Sequence, residues 1–396
     1  MSTAGNQPLS GIRVLDFTQV MLGPSCTQVL GDYGADVIKI EKPGSGDLSR
    51  WSINDRLGQD NPVFLSLNRN KRSVALNTRS EEGRKVVLDL VREADVVVSN
   101  FRPGVMERLG FGYEELKAVN PRIIWAFGSG FGSTGPYMHK GGQDVLAQAY
   151  TGVMARKADP DHPTAIYATA LADYSAGMQL VQGILLALLH RERTGTGQKV
   201  EVSLYNGLLH MQMQEATMQL MRDRELNWAR MPLSGCFPTT DGALVLVGAF
   251  KENPLRDICA ALDLPDLSQE ERFKDLAAQF ANRPEIQRIL RERFATDTTA
   301  HWLARLEERD LLCAPVKNLA EALQDPQTVH NGMLLEFEHP LGETVRTVGS
   351  PIAMSEAPTA VRHAPPRLGE HGAQVLAELG YDQARIDQLK DAGVLA

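Results

Sequence analysis

The chain has 396 residues, 43% of them hydrophobic, and carries 41 Lys and Arg against 49 Asp and Glu for a formal charge of −8. That length exceeds one ordinary core and predicts two globular domains. The acidic balance argues against nucleic acid or another polyanion as partner of the whole surface, so an anionic ligand needs a local basic pocket.

Cys26, Cys236, Cys259 and Cys313 lie far apart with no CxxC pair, so neither a zinc knuckle nor a disulfide scaffold is expected, and a reducing cytoplasm fits. The polar start MSTAGNQPLSG lacks the basic-then-apolar pattern of a secretory signal. The longest apolar run, around Leu180 to Leu189, is only about ten residues long and contains Gln182 and Gly183. It reads as a buried core helix, and no membrane partner is expected.

The first two hundred residues alternate short β-rich runs, turns and amphipathic helices, the pattern of an α/β unit with a parallel, doubly wound sheet. Strands are predicted at Arg13–Phe17, Asp36–Glu41, Ser73–Asn77, Asp95–Asn100 and Arg122–Gly128. Between the third and fourth, Thr78 and Glu81 make a capping-box pattern, and Val86, Val87, Leu90 and Val91 share one helical face. A long helix is predicted to begin near Asp173 and stop at the glycines of TGTGQ, followed at once by the strand QKVEVSL. Met211, Met213, Met218 and Met221 then mark helical sequence suited to irregular core or subunit contacts. From Leu226 a smaller α+β region is predicted, with a hairpin in TTDGALVLVGAF and charged helices through 269–310. Residues 328–356 return to strands around a turn at Pro340–Gly342, and the last stretch is helical. No internal repeat supports a solenoid.

PGSGD (Pro43–Asp47) and GSGFGSTGP (Gly128–Pro136) follow strands, where glycine lets a backbone approach an anion. Neither is a GxGxxG fingerprint or a Walker loop, so a nicotinamide or ATP site is not supported. Lys42, Arg50, Arg69, Lys71, Arg72, Arg79, Arg102 and Arg108 punctuate the strand ends. Singly, each reads as a solvated surface residue; together they suggest a polyphosphate pocket outside the carboxyl ends of the strands. Asp173, read from pattern alone, is an N-cap or first-turn carboxylate. No HExxH, GxSxG or spaced Cys/His cluster gives a zinc or serine hydrolase residues to use.

The opening LSGIRVLDFTQVMLGPSCTQVLGDYGADVIKIEKPGSGD resembles that of the class III coenzyme A transferases, relatives of the formyl-CoA:oxalate and carnitine CoA-transferases. NKRSVALN (Asn70–Asn77), ADVVVSNFRPGVMERLGF (Ala94–Phe111), LADYSAG, RTGTGQKVEVSLYN (Arg193–Asn206) and LGEHGAQVLAELG match further blocks. The resemblance implies a Rossmann-like large domain from both chain ends, 1–215 and 330–396, a small α+β domain at 226–325, and an interlocked homodimer. It implies Asp173 as the nucleophile and coenzyme A contacts at Gln19, Lys42, Leu76, Arg79, Asn100, Phe101 and Arg108, with the three cations meeting phosphates. The implied reaction moves coenzyme A from an acyl-CoA donor to a carboxylic acid acceptor through a mixed anhydride and an aspartyl-CoA thioester. Coenzyme A is then a substrate, and no metal or tightly bound cofactor is expected.

Departures from the family pattern bear on the acid. Gln19 stands where relatives commonly have His, and Met21 where oxalate-using members carry Gln, so a small dicarboxylate held by that Gln is not expected. The family's multi-glycine loop is missing; its nearest equivalent, VGAFKENP (Val247–Pro254), has the single Gly248. Met21, Gln143, Asp144, Gly248 and Phe250 are the candidates for the acyl pocket, and the apolar Met21 and Phe250 lean toward an acceptor with an apolar portion. The related α-methylacyl-CoA racemases need a His and an Asp to exchange an α-proton. In KGGQDVLAQ, Gln143 occupies the place of that His and cannot act as a base, which favours transfer over epimerisation. A catalytically silent CoA-binding protein is the third reading, and the intact Asp173 speaks against it. Asp144 reads equally as a carboxylate behind the site or as the N-cap of its own helix.

Overall fold

A computed structural model describes residues 7–159 and 162–396. One compact unit comprises the described chain up to Val153 together with Ile166–Met213 and His330–Ala396. Its sheet has six parallel strands: β1 (Arg13–Asp16), β2 (Asp36–Glu41), β3 (Lys71–Ala75), β4 (Val96–Ser99), β5 (Ile124–Ser129) and β6 (Lys199–Ser203). Their order is β3-β2-β1-β4-β5-β6, that of the Rossmann sheet, so the winding reverses between β1 and β4 and leaves a crevice at their carboxyl ends.

Strand alternation builds a core on each face. Leu15, Ile38, Val74, Val97 and Trp125 face the helix Glu81–Glu93, which buries Val86, Val87, Leu90 and Val91, and the helices Gly372–Glu378 and Gln383–Asp391. Val14, Val37, Val96, Val98, Ile124 and Ala126 face the helices Leu22–Asp32 and Leu171–Thr194.

Local differences from the sequence pattern have local causes. The third strand starts at Lys71 and ends at Ala75, because Leu76 bridges to Leu395 and the Asn77 N–H donates to the Val394 carbonyl. Ser80, not Thr78, caps the following helix: its Oγ accepts the Gly83 N–H at 3.0 Å. Asn77 O already holds the Ser80 N–H in a turn, which delays the helix by two residues.

The helix Leu171–Thr194 starts before Asp173 and ends on Gly195 at φ 76°, in the left-handed region glycine favours. At 24 residues it is long and apolar enough to cross a bilayer, contrary to the short span expected. In this fold Leu180, Val181, Ile184 and Leu188 are buried, while Leu185, Leu186 and Leu189 are exposed. The methionine-rich stretch forms the helices Leu204–Met211 and Met213–Arg222, and the second buries no residue at all, so it does not fill the core of this chain. A hairpin of β10 (Leu334–Glu338) and β11 (Thr344–Val348) completes this unit's strands.

The second unit comprises Gln214–Val329 and the described part of Met154–Ala165, a segment the sequence reading assigned to the large domain. The strands β7 (Ser234–Pro238) and β8 (Ala243–Val247) form the expected hairpin, and β9 (Leu312–Pro315), which ends in proline and was not expected, adds a third antiparallel strand. Phe237, Leu244, Leu246, Ile258, Phe294 and Trp302 make its core.

The sheet of the first unit also buries charges. Asp16, Lys39 and Lys71 are fully enclosed at the ends or interiors of β1, β2 and β3. Lys71 Nζ lies 3.1 Å from Asp16, and Lys39 Nζ lies 2.9 Å from Asp47 while donating to the Thr18 carbonyl at 2.7 Å. Burial opposes every one of these charges, but the partners win at the carboxylates: Asp16 is held below the ordinary range by Lys39 and Lys71, and Asp47 is lowered to about 2 by Lys39 and backbone N–H groups. Lys71 is lowered to about 8 by burial, aided by the like charge of Lys39 and opposed by Asp16. Removing one partner would strand the others. Asp16→Asn is therefore expected to cost about 3–5 kcal/mol, seen as a lower midpoint in urea unfolding.

Candidate active site

Two cavities open at the carboxyl ends of the strands. The first, of about 530 Å³, is lined by Gln19 and Val20 after β1, Asn100 to Pro103 after β4, Gly128 to Gly132 at the end of β5, Lys140 to Gln143, and Asp173. The second, of about 640 Å³, is lined by Ile40 to Pro43 after β2, Leu76 to Arg79 after β3, Val105 and Leu109. Gln19 and Phe101 line both, so the two adjoin.

The fold thus brings Asp173, Gln19, Asn100, Phe101 and Gln143 to one chamber and Lys42, Leu76 and Arg79 to the next. Arg108 sits exposed on the helix Val105–Leu109 and is not part of either wall, although Val105 and Leu109 are. Met21 is the half-buried N-cap of the helix Leu22–Asp32; its neighbour Val20 lines the chamber instead. Gly248 and Phe250 belong to the second unit and line neither cavity. A Cβ on Gly248 would fall 2.4 Å from Leu233 Cβ, so packing accounts for that glycine, and Phe250 is 91% exposed at φ 63°.

Four of the eight basic residues are neither solvated nor available to a phosphate. Arg50 is buried between Glu41 and Asp60, Arg69 on Asp32, Lys71 on Asp16, and Arg72 between Asp36 and Glu378. The exposed cations at the cavities are Lys42 and Arg79 in the second and Arg102 and Lys140 in the first.

The loop after β1 is pinned from three sides. Asn100 accepts the Gln19 N–H and donates to the Gln19 carbonyl, both at 2.8 Å, so its amide is engaged with this loop. Asp47 accepts the Val20 N–H at 3.0 Å, and Lys39 holds the Thr18 carbonyl. These bonds keep Val20 at φ 66°, a conformation costly for a β-branched residue. Across the chamber, Gly130 and Gly142 cross so closely that a Cβ on either would lie 2.3 Å from the other's Cα. Beside that crossing, Phe131 packs on Tyr137 and Tyr150, and Lys140 Nζ lies 4.2 and 4.9 Å from their ring centroids. The sequence reading singled out neither Val20 nor Lys140; the paired glycines of KGGQD were the available signal.

Asp173 lies in the first turn of its helix, half-buried. Burial, and then the negative charge of Asp144, push its carboxyl up to about 6, against a backbone N–H from Leu22 that favours the anion. Asp144 is buried, and its Oδ1 accepts the N–H groups of Ala172 at 2.6 Å and Asp173 at 3.2 Å. It does not cap its own helix, Asp144–Tyr150, whose N-cap is Gln143. It caps the helix of Asp173, whose own N-cap, Ala170, offers no side chain. Among the described residues no group of three or more His, Cys, Asp and Glu could share a metal ion.

Comparison with known proteins supplies the family. Residues 9–372 match CoA-transferase family III. The chain is 33% identical to human succinyl-CoA:glutarate CoA-transferase over 98% of this chain and 90% of that one. It is 36% identical to formyl-CoA:oxalate CoA-transferase of Escherichia coli, covering 97% and 98% respectively. The crystal structure of a CaiB/BaiF family protein from Brucella suis matches with a TM-score of 0.84 at 33% identity, over 94% of this chain and all of the other. The chain belongs to CoA-transferase family III and is an enzyme of that class.

The raised carboxyl of Asp173 has a consequence for stability. A folded-state value of about 6 against an ordinary 3.8 leaves no penalty below pH 3.8; the penalty grows as pH rises to 6 and is complete above it. Asp173→Asn is therefore expected to unfold at a higher temperature than the wild type at pH 8, by up to about 3 kcal/mol, with the gain gone at pH 4. Thermal unfolding at the two pH values checks both halves.

Proposed function

We propose that this enzyme exchanges coenzyme A between an acyl-CoA donor and a free carboxylic acid through covalent adducts on Asp173. The observation that carries this reading is a half-buried carboxylate of raised basicity facing a chamber at the switch point of the sheet, joined to a second chamber that offers two cations. Lys42 and Arg79 would meet the phosphates of coenzyme A, with Arg108 an outer contact, and Leu76 would lie near the adenine. Pantetheine would pass Gln19 and Phe101 to bring the thioester to Asp173.

The Asp173 carboxylate attacks the donor carbonyl and expels the thiolate, giving a mixed anhydride. The thiolate attacks the Asp173 carbonyl carbon and releases the donor acid, leaving an aspartyl-CoA thioester. The acceptor carboxylate attacks that thioester, and the freed thiolate takes the acceptor acyl group from the second anhydride, restoring Asp173. Gln143, in the same chamber, has no basic nitrogen with which to exchange an α-proton, which favours transfer over epimerisation.

The relatives are named for succinyl, glutarate, formyl and oxalate, so short carboxylic acids and their CoA thioesters are the first panel to try. The apolar lean of the acceptor is carried here by Val20, Leu22, Leu48 and Leu146 in the chamber wall rather than by Met21. The active form is an interlocked homodimer, a reading supported by the exposed Leu185, Leu186, Leu189, Leu220 and Met221. Light scattering is expected to return twice the chain mass.

Incubation with each acyl-CoA followed by hydroxylamine is expected to leave a hydroxamate on Asp173, located by peptide mass spectrometry and absent without donor. Deuterium entering the α-carbon of a branched acyl-CoA with no such adduct would favour the racemase reading. Arg79→Ala is expected to raise KM for the acyl-CoA about tenfold with kcat little changed, as loss of one charged phosphate contact predicts.

A further inference from the structure

We propose that Asp144 is the positioning residue that promotes acylation of Asp173: it fixes the nucleophile's backbone and holds a second negative charge behind it, a repulsion released when Asp173 becomes a neutral anhydride or thioester. The inference rests on the covalent reading above and goes beyond it by assigning a driving element.

The geometry is unusual for a simple cap. A serine, threonine or asparagine would satisfy the two N–H groups at a helix start without burying a charge. Here the capping group is a carboxylate, 8% exposed, whose hydrogen-bond partners among the described residues are the N–H groups of Ala172 and Asp173 and the amide of Gln148. Its other oxygen accepts from Gln148 Nε2 at 2.7 Å, and Gln148, itself fully buried, binds Tyr167 through both its N–H and carbonyl and so ties down the chain entering the helix. The helix start sets its partial positive charge beside the Asp144 carboxylate. The nucleophile is thereby held on the very peptide whose N–H the second carboxylate accepts.

Charge balance shows what this arrangement does. In the first step a new bond forms from an Asp173 oxygen to the acyl carbon, the C–S bond breaks, and the electron pair leaves on the coenzyme A sulfur. The negative charge moves from Asp173 to the thiolate. In the second step sulfur bonds to the Asp173 carbonyl carbon, the C–O bond of the anhydride breaks, and the charge leaves with the donor acid. Asp173 is neutral in both adducts, so Asp144 disfavours only the free carboxylate and drives both adducts equally.

Other charged groups come from the neighbouring elements, and β6 holds Lys199 and Glu201 in a pair with each other. The helix Leu22–Asp32 presents the Leu22 N–H, and its only charged residue, Asp32, is paired to Arg69. The helix Leu204–Met211 carries only His210. Arg102 and Lys140 line the same chamber.

The test uses the full-length enzyme and its Asp144→Asn variant, which keeps an oxygen for the two N–H groups. Succinyl-CoA and formyl-CoA serve as probes, and the covalent adduct is followed by rapid quenching and intact mass from pH 4.5 to 8.5. The variant is expected to form the adduct at least tenfold more slowly at pH 8, with a smaller equilibrium fraction of adduct and an unchanged ratio of anhydride to thioester. The wild-type rate is expected to fall below about pH 6, and that of the variant only at lower pH. Rates, fraction and pH profile equal to the wild type would overturn the proposal, since a purely structural cap would leave the profile in place. A wild type that forms no adduct with any donor would instead overturn the transferase reading. If that variant fails to bind coenzyme A or to fold, Asp144→Ser, which also keeps an oxygen at the cap, goes through the same comparison, and rates, fraction and pH profile equal to the wild type there overturn the proposal.

Discussion

The buried pairing of Asp16 with Lys71, and of Asp47 with Lys39, is the constraint on which the site depends. Asp16, Lys39 and Lys71 sit where a parallel sheet normally holds only apolar residues, Asp47 lies in the loop after β2, and each is tolerable only because the others are present. The same charges reach past the sheet. Lys39 and Asp16 hold Thr18, and Asp47 holds Val20, so the loop that leads into the chamber is tied to β1, to β2 and to the loop after β2. A chemical feature of the core thereby becomes a geometric feature of the surface.

Against that fixed loop, the reactive group is set by a different kind of interaction. Asp173 and Asp144 share one helix start: one faces the chamber and the other is turned into the protein. The N–H groups of Ala172 and Asp173 are given to the carboxylate that does not face the chamber. The basicity of the other comes first from its burial and then from that neighbour's negative charge, against the backbone N–H it accepts from Leu22.

Much of the fold was legible because its signals are local. Apolar alternation in VVVS and DVIKIE, the glycine after the long helix and the hairpin of the second unit all follow from residues near one another in sequence. Less was legible where distant segments compete. The end of β3 is decided by residues 394 and 395, and Arg50, Arg69 and Arg72 read as surface because their carboxylate partners come from other elements. The importance of Asp173 came from the resemblance, since its pattern alone describes a first-turn carboxylate. The role of Asp144 was open for the same reason: it caps a helix that begins 27 residues later, which no spacing rule within one helix anticipates.

Among the described residues the two chambers share Gln19 and Phe101 as wall residues. On the proposed reaction, the portion of the substrate that never changes occupies one room and the portion that is exchanged occupies the other. Mutations that resculpt the acid's room can then accumulate without loosening the grip on the carrier. Such a partition gives one scaffold a way to diversify its acids while its handle stays constant, and it makes the narrow doorway between the rooms the place where drift is least tolerated.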